Sequence, residues 1–149
     1  MCGTHATVRS LIGELVGAAT GVTVADMEAG LEHLSRGTPR HMDTIVAVIE
    51  PYFKSLETGR KAYELARELG VPRVHVVANK VRTAEDGDSI RAFCDRHGLR
   101  LLASVPYDEA FLAADREGKA PLDLAPHSPG VDEIGRLAQL LEASPGGND

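Results

Sequence analysis

Four short apolar runs, Gly21 to Asp26, Asp43 to Glu50, Val71 to Asn79 and Leu99 to Val105, constrain this chain more than anything else in it. Each has strand length and is rich in valine, isoleucine or leucine, and segments of helical period follow the later ones. The connections are long enough only for crossovers, so the strands run parallel. The pattern predicts an α/β, doubly wound, mainly parallel sheet with helices on both faces. Asp43 to Glu50, DTIVAVIE, is almost continuously apolar, as a strand covered on both faces must be. Pro51 and Pro106 stop the second and fourth strands because proline lacks the N–H that a ladder needs. Right-handed crossovers then gather the loops after Asp26, Glu50, Asn79 and Val105 on one carboxyl edge.

The helices are read from spacing. Val8, Leu11, Ile12, Leu15 and Val16 paint one face of a helix from Thr7 to Ala18, capped by Thr4 or Thr7 and closed by Gly17 and Gly21. Ser55 caps the next, to Leu69, with Ala62, Leu65, Ala66 and Leu69 inward and Gly70 as its stop. A third starts at Asp86 or Asp88 and runs to His97 before Gly98, with Cys94 in the core. Asp108 to Glu117 and Val131 to Glu142 complete the set, separated by a Pro-rich loop from Ala120 to Gly130. The whole chain, 1–149, is expected to be one domain, with 143–149 a disordered tail.

Composition narrows the partners. A formal net charge of -6 argues against nonspecific nucleic-acid binding, which needs basic surface to displace counterions. No apolar run approaches the ~20 residues of a membrane span. Residues 1 to 20 show no basic head followed by a continuous apolar core, and Cys2 and Cys94 make no disulfide framework. Small molecules or proteins are the expected partners and a reducing cytoplasm the expected compartment.

The candidate site residues fall on the carboxyl edge. Asp26 ends a strand and Gly30 follows it, a spacing that suits a carboxylate holding Mg2+ through water and a backbone N–H approaching a γ-phosphate. Taken alone, Asp26 is equally well a helix cap or a loop carboxylate. Asn79 and Lys80 end the third strand, where an asparagine reaches a base edge and a lysine lays its stem along the base plane. A guanine-reading site carries an Asp two residues after the lysine; Arg82 stands there, which permits adenine and argues against guanine. Pro106, Tyr107 and Asp108 reach the same edge, Asp108 either meeting a ribose or capping the helix that follows. Cys2 and His5 are thiolate and imidazole at close spacing, ligands that suit Zn2+ or Ni2+ but do not close a site by themselves. His75 is read as sheet interior or edge, and His33 as a residue behind the site. No Gly-x-x-x-x-Gly-Lys-Ser/Thr occurs: Gly118-Lys119 is followed by Ala120.

Together these residues resemble the CooC-type ATPases that accompany nickel insertion into carbon monoxide dehydrogenase, in the MinD/ParA group of deviant P-loop ATPases. The likeness is carried by Cys2-Gly3-Thr4-His5 leading into Arg9, by Asp26 to Thr38 (DMEAGLEHLSRGT), by Ile49 to Gly59, by Ala78 to Val81 and by Val105 to Leu122. It implies a P-loop NTPase-like fold that binds ATP or ADP with Mg2+. Asp26 and Gly30 would be the switch, Asn79 and Lys80 would read adenine, and Pro106 to Asp108 would border base and ribose. Members carry Cys-x-Cys before the first helix here, binding metal across a homodimer; Cys2 matches the second cysteine. The resemblance further implies a metalloenzyme client like carbon monoxide dehydrogenase; that no nucleic acid and no membrane is expected as a partner follows from the charge and the apolar runs.

In that family the amino-terminal strand, P-loop and first helix precede the position of Met1. The expectation is therefore a truncated chain or a split protein, with negligible ATP turnover on its own because no P-loop lysine holds the phosphates. Its sheet would lack a central strand and present an open edge. The alternatives are a non-hydrolytic dimerising module that binds metal or a partner, and a partition-type ATPase of the same group.

Overall fold

The computed structural model of the chain describes residues 22–27 and 42–143. The elements are β1 (Thr44–Ile49), α1 (Phe53–Glu68), β2 (Arg73–Val81), α2 (Ala84–His97), β3 (Leu101–Pro106), α3 (Glu109–Arg116), α4 (Pro121–Leu124) and α5 (Pro129–Glu142). The strands form one parallel sheet in the order β1-β2-β3. β1 pairs with β2 in unbroken register from Thr44 opposite Arg73 to Ile49 opposite Ala78. β2 and β3 slip between Val76 and Val77: Val76 pairs Leu101, but Val77 pairs Ala103.

Both faces of the sheet are covered, as the near-continuous apolar strands require. On one face Ile49, Val76 and Ala78 pack with Tyr63 and Ala66 of α1 and Ile90 and Cys94 of α2. Each fully buried valine or isoleucine there contributes about 1.5–3 kcal/mol. On the other face Val77, Ala103 and Val105 pack against Leu137 of α5. Gly59 lets α1 lie close on β1, because a Cβ at that position would collide with Ile49 Cγ2. The doubly wound parallel architecture is thus present in the described residues.

Local chemistry sets the ends. α2 begins on a capping box: Thr83 Oγ1 accepts from Asp86 N at 3.1 Å, and Asp86 Oδ2 accepts from Thr83 N at 3.2 Å. It ends on Gly98 at φ 63°, after which Leu99 N donates to Cys94 O at 2.8 Å. Asp86 is therefore the third residue of the helix, not its start. α1 begins at Phe53, and Ser55 Oγ accepts instead from Glu50 N at 2.9 Å. The tie holds the β1–α1 turn rather than capping the helix.

Several expectations are corrected. Residues 22–27 form no strand, and Val22 and Val24 are 74% and 88% exposed. A strand exists through its ladder, and no ladder among the described residues pairs this segment. β2 starts and ends two residues later than Val71 to Asn79, so Asn79 and Lys80 lie within it. The Pro-rich loop contains α4, started by Pro121, whose fixed φ suits a first helical turn. Pro129 does the same for α5. His75 is interior, only 4% exposed, and Cys94 is core as expected. The helix from Thr7 to Ala18, Cys2, Gly30, His33 and the tail from residue 144 lie outside the described residues.

Candidate functional site

The parallel ladder brings the ends of all three strands to one edge. Val81 pairs Pro106, and Tyr107 N donates to Val81 O at 2.9 Å, so Asn79, Lys80, Pro106, Tyr107 and Asp108 stand together. Glu50, just past β1, joins them: Lys80 Nζ lies 2.7 Å from Glu50 Oε1, and this bond raises the lysine's pKa from its ordinary value. Lys80 itself has φ 57°, the left-handed region that costs a residue with a Cβ about 1–2 kcal/mol. In that conformation its N–H donates to Asn79 Oδ1 at 3.0 Å. Asn79's amide NH2 is left as the donor end that a ring acceptor would meet.

Arg82 stacks its guanidinium on Tyr107, 3.5 Å from Cζ to the ring centroid. The backbone under it is fixed as well, since Asp86 Oδ2 accepts from Arg82 N at 3.1 Å. Asp108 is fully engaged with backbone: Oδ1 accepts from Ala110 N and Oδ2 from Gly130 N, each at 2.9 Å. It caps α3 and also meets the positive end of α5. The Ser128 hydroxyl beside it contributes most to lowering its pKa, followed by the Gly130 and Ala110 N–H groups. Ser128 Oγ is buried without a bond of strict geometry, so the two backbone bonds are the firm part of this arrangement. Of the two readings of Asp108, the helix cap is observed; a ribose would have to use its remaining lone pairs.

Asp26 is exposed and outside any helix or strand. Among the described residues no hydrogen bond or ion pair joins it to the Asn79 edge. No group of three or more His, Cys, Asp or Glu that could hold a metal ion occurs among the described residues. Nothing in the described structure brings Mg2+ ligands to Asp26. Sequence reasoning did not single out Glu50, and it read Arg82 only as standing in place of the Asp of a guanine site, not as a partner of Tyr107. A glutamate closing a strand and an arginine three residues past Asn79 become partners only when the ladder sets the strand ends side by side.

An open parallel sheet with crossover helices on both faces and its polar residues at the carboxyl edge defines the class, and solved structures share it. A ParA family ATPase from Chlorobium tepidum TLS superposes with a TM-score of 0.75 at 22% identity, covering 92% of this chain and 57% of that one. The MinD cell division protein of Aquifex aeolicus gives 0.61 at 16% identity, over 72% of this chain and 47% of that one. The chain shares the fold of these ParA and MinD structures.

Sequence narrows it further. The chain is 39% identical over 126 residues to the carbon monoxide dehydrogenase accessory protein CooC of Rhodospirillum rubrum, covering 85% of this chain and 47% of that protein. It is 37% identical over 125 residues to an uncharacterized ATP-binding protein of Methanocaldococcus jannaschii, covering 83% of this chain and 48% of that protein. No family model matches. The chain belongs to the family of CooC and its relatives. It spans about half the length of the curated relatives it matches.

Proposed function

We propose that this chain carries the adenine-binding edge of an ATP-dependent maturation factor that serves a metalloenzyme like carbon monoxide dehydrogenase, with nickel insertion as the step served. The observation that carries the reading is the Asn79-Lys80 pair, near the end of β2, set beside Pro106-Tyr107-Asp108 at the carboxyl edge of a ParA/MinD-like sheet. The edge fits a purine: Asn79 offers amide N–H donors, the Lys80 stem and the Tyr107 ring offer flat apolar surface, and the ladder fixes their spacing. In this reading bound ATP supplies the free energy of phosphoryl transfer, and these residues bind and orient its base. Asp26 and Gly30 are proposed as the switch, with Asp26 meeting Mg2+ through water. Cys2 is proposed as a ligand for Ni2+ or Zn2+ shared across a homodimer in the cytoplasm. Those assignments rest on the family likeness and on residue type.

Calorimetric titration of the chain with ADP and Mg2+ tests the reading. Asn79→Ala is expected to weaken ADP binding about tenfold, the loss of one or two hydrogen bonds to a base edge. Unchanged affinity in the variant would remove Asn79 from the site, and no binding by the parent chain would remove the base-edge reading altogether.

A second reading, a non-hydrolytic module that pairs through its sheet, draws on Val48, 60% exposed on β1, and on Tyr52 and Phe53, 53% and 76% exposed beside it. Light scattering with and without Zn2+ or Ni2+ separates the two. A dimer that forms equally well without metal favours the second, and one that forms only with metal favours the first.

A further inference from the structure

We propose that Arg82 decides which purine this edge accepts, by presenting a donor-only guanidinium where the base's pairing edge arrives. The inference rests on the base-edge reading above and adds a specificity-determining residue to it. Arg82 is held from two sides. Its backbone N–H is tied to Asp86 within the capping box of α2, and its guanidinium lies 3.5 Å over the Tyr107 ring. Tyr107 in turn is anchored by its own N–H to Val81 O at 2.9 Å. The side chain remains exposed, so its outer N–H groups face solvent and any ligand lying on the edge.

The chemistry discriminates on one side of the base only. Asn79 has its oxygen engaged by Lys80 N–H at 3.0 Å and so offers its NH2 group, which meets N7 of adenine and guanine alike. Discrimination therefore falls to the opposite edge. Position 82 is where a guanine-reading site places a carboxylate, to accept from N1–H and the exocyclic amine. A guanidinium carries five N–H donors and no acceptor. Against guanine it faces donors with donors, leaving two ring-edge N–H groups without a partner as they leave water. Against adenine it meets N1, an acceptor. The Tyr107 stack fixes the plane of the guanidinium before a base arrives, so little side-chain entropy is lost on binding.

The test is titration of the full chain, in Mg2+ buffer, with ADP and with GDP. The unsubstituted chain is expected to prefer ADP by about tenfold or more, the discrimination expected of one well-placed polar contact. Arg82→Asp should cancel or invert that ratio, chiefly by tightening GDP. Arg82→Lys, which keeps the charge but loses the planar stack, should retain an ADP preference reduced about two- to fivefold. Circular dichroism melting of both variants reports their folding separately, and if Arg82→Asp does not fold, the ratio in Arg82→Lys decides alone. A parent chain that binds ADP and GDP equally, or variants whose ADP-to-GDP ratio does not move, would overturn the proposal and leave the base-edge reading standing. A parent chain that binds neither would overturn both.

Discussion

At the scale of the residue, His75 carries the plainest consequence. It sits 4% exposed in β2, and its Nδ1 has no hydrogen-bond partner. Burial lowers its pKa first, and the nearby Arg100 and Arg73 charges lower it further. Folding therefore favours the neutral form of His75, while the unfolded chain takes up a proton near the ordinary histidine value of about 6.5. The unfolded state binds more protons in that window, so this residue costs stability as pH falls from about 7 toward its folded value. The urea midpoint is expected to drop between pH 7 and pH 5, and His75→Leu to flatten that drop. Equal slopes in both proteins would show that His75 is not the group responsible. Removing an orphaned buried polar atom is worth about 1–3 kcal/mol at neutral pH, so the leucine variant should fold at least as well there. The sequence showed His75 among valines and hence on the sheet. It did not show which atoms would face it.

At the scale of the element, β1 and α1 meet through an absence. Gly59 is buried on α1, and any Cβ there runs into Ile49 Cγ2. Gly59→Ala raises helix propensity by about 1 kcal/mol but must push the helix off the strand. Overpacking of this kind costs about 1–3 kcal/mol, so the sum is expected to destabilise or at best to break even. A thermal melt several degrees below the parent would fit this balance, and a rise in melting temperature would show that α1 can shift freely. Helix and strand existence was legible because the apolar pattern is local: the runs DTIVAVIE and Val71 to Asn79 sit in plain view. Boundaries were less so. Ser55 and Asp86 have the right chemistry for caps, but one ties back to Glu50 and the other serves Thr83. The β3 faces were hidden too, because a slip against β2 sends Leu101 and Ala103 to opposite cores although strict alternation would put them together. A bulge is set by both strands at once and leaves no mark on either alone.

At the scale of the whole molecule, the described sheet has three strands and two ends, and β1 is one of them. Val48 on that strand is 60% exposed while its neighbours Ala47 and Ile49 are buried. An apolar side chain beside unpaired backbone groups invites another strand. Val48→Thr keeps the β-branch and strand propensity while adding a polar atom, so it is expected to reduce concentration-dependent association with little change in fold. Sedimentation across a concentration series checks this, and identical profiles for both proteins would place the contact elsewhere. The place of the candidate site was legible at this scale, since strand ends of a parallel sheet must gather at one edge, as those of the described strands do. Its particulars were not. Glu50 beside Lys80 and Arg82 over Tyr107 join residues from different strands, and only the assembled ladder brings them within reach.

Lys80 stands in a left-handed backbone position that disfavours a side chain by about 1–2 kcal/mol, while its ion pair with Glu50, 55% and 31% exposed, returns about 0.2–1 kcal/mol. The two do not cancel. The carboxyl end of β2 is thus under slight tension, and its amides should exchange with deuterium sooner than those of Val76 and Val77 a few residues back. A ligand that braces this strand end would slow that exchange first at residues 80 to 82, which makes hydrogen exchange a map of occupancy for an edge whose own chromophores are tyrosines.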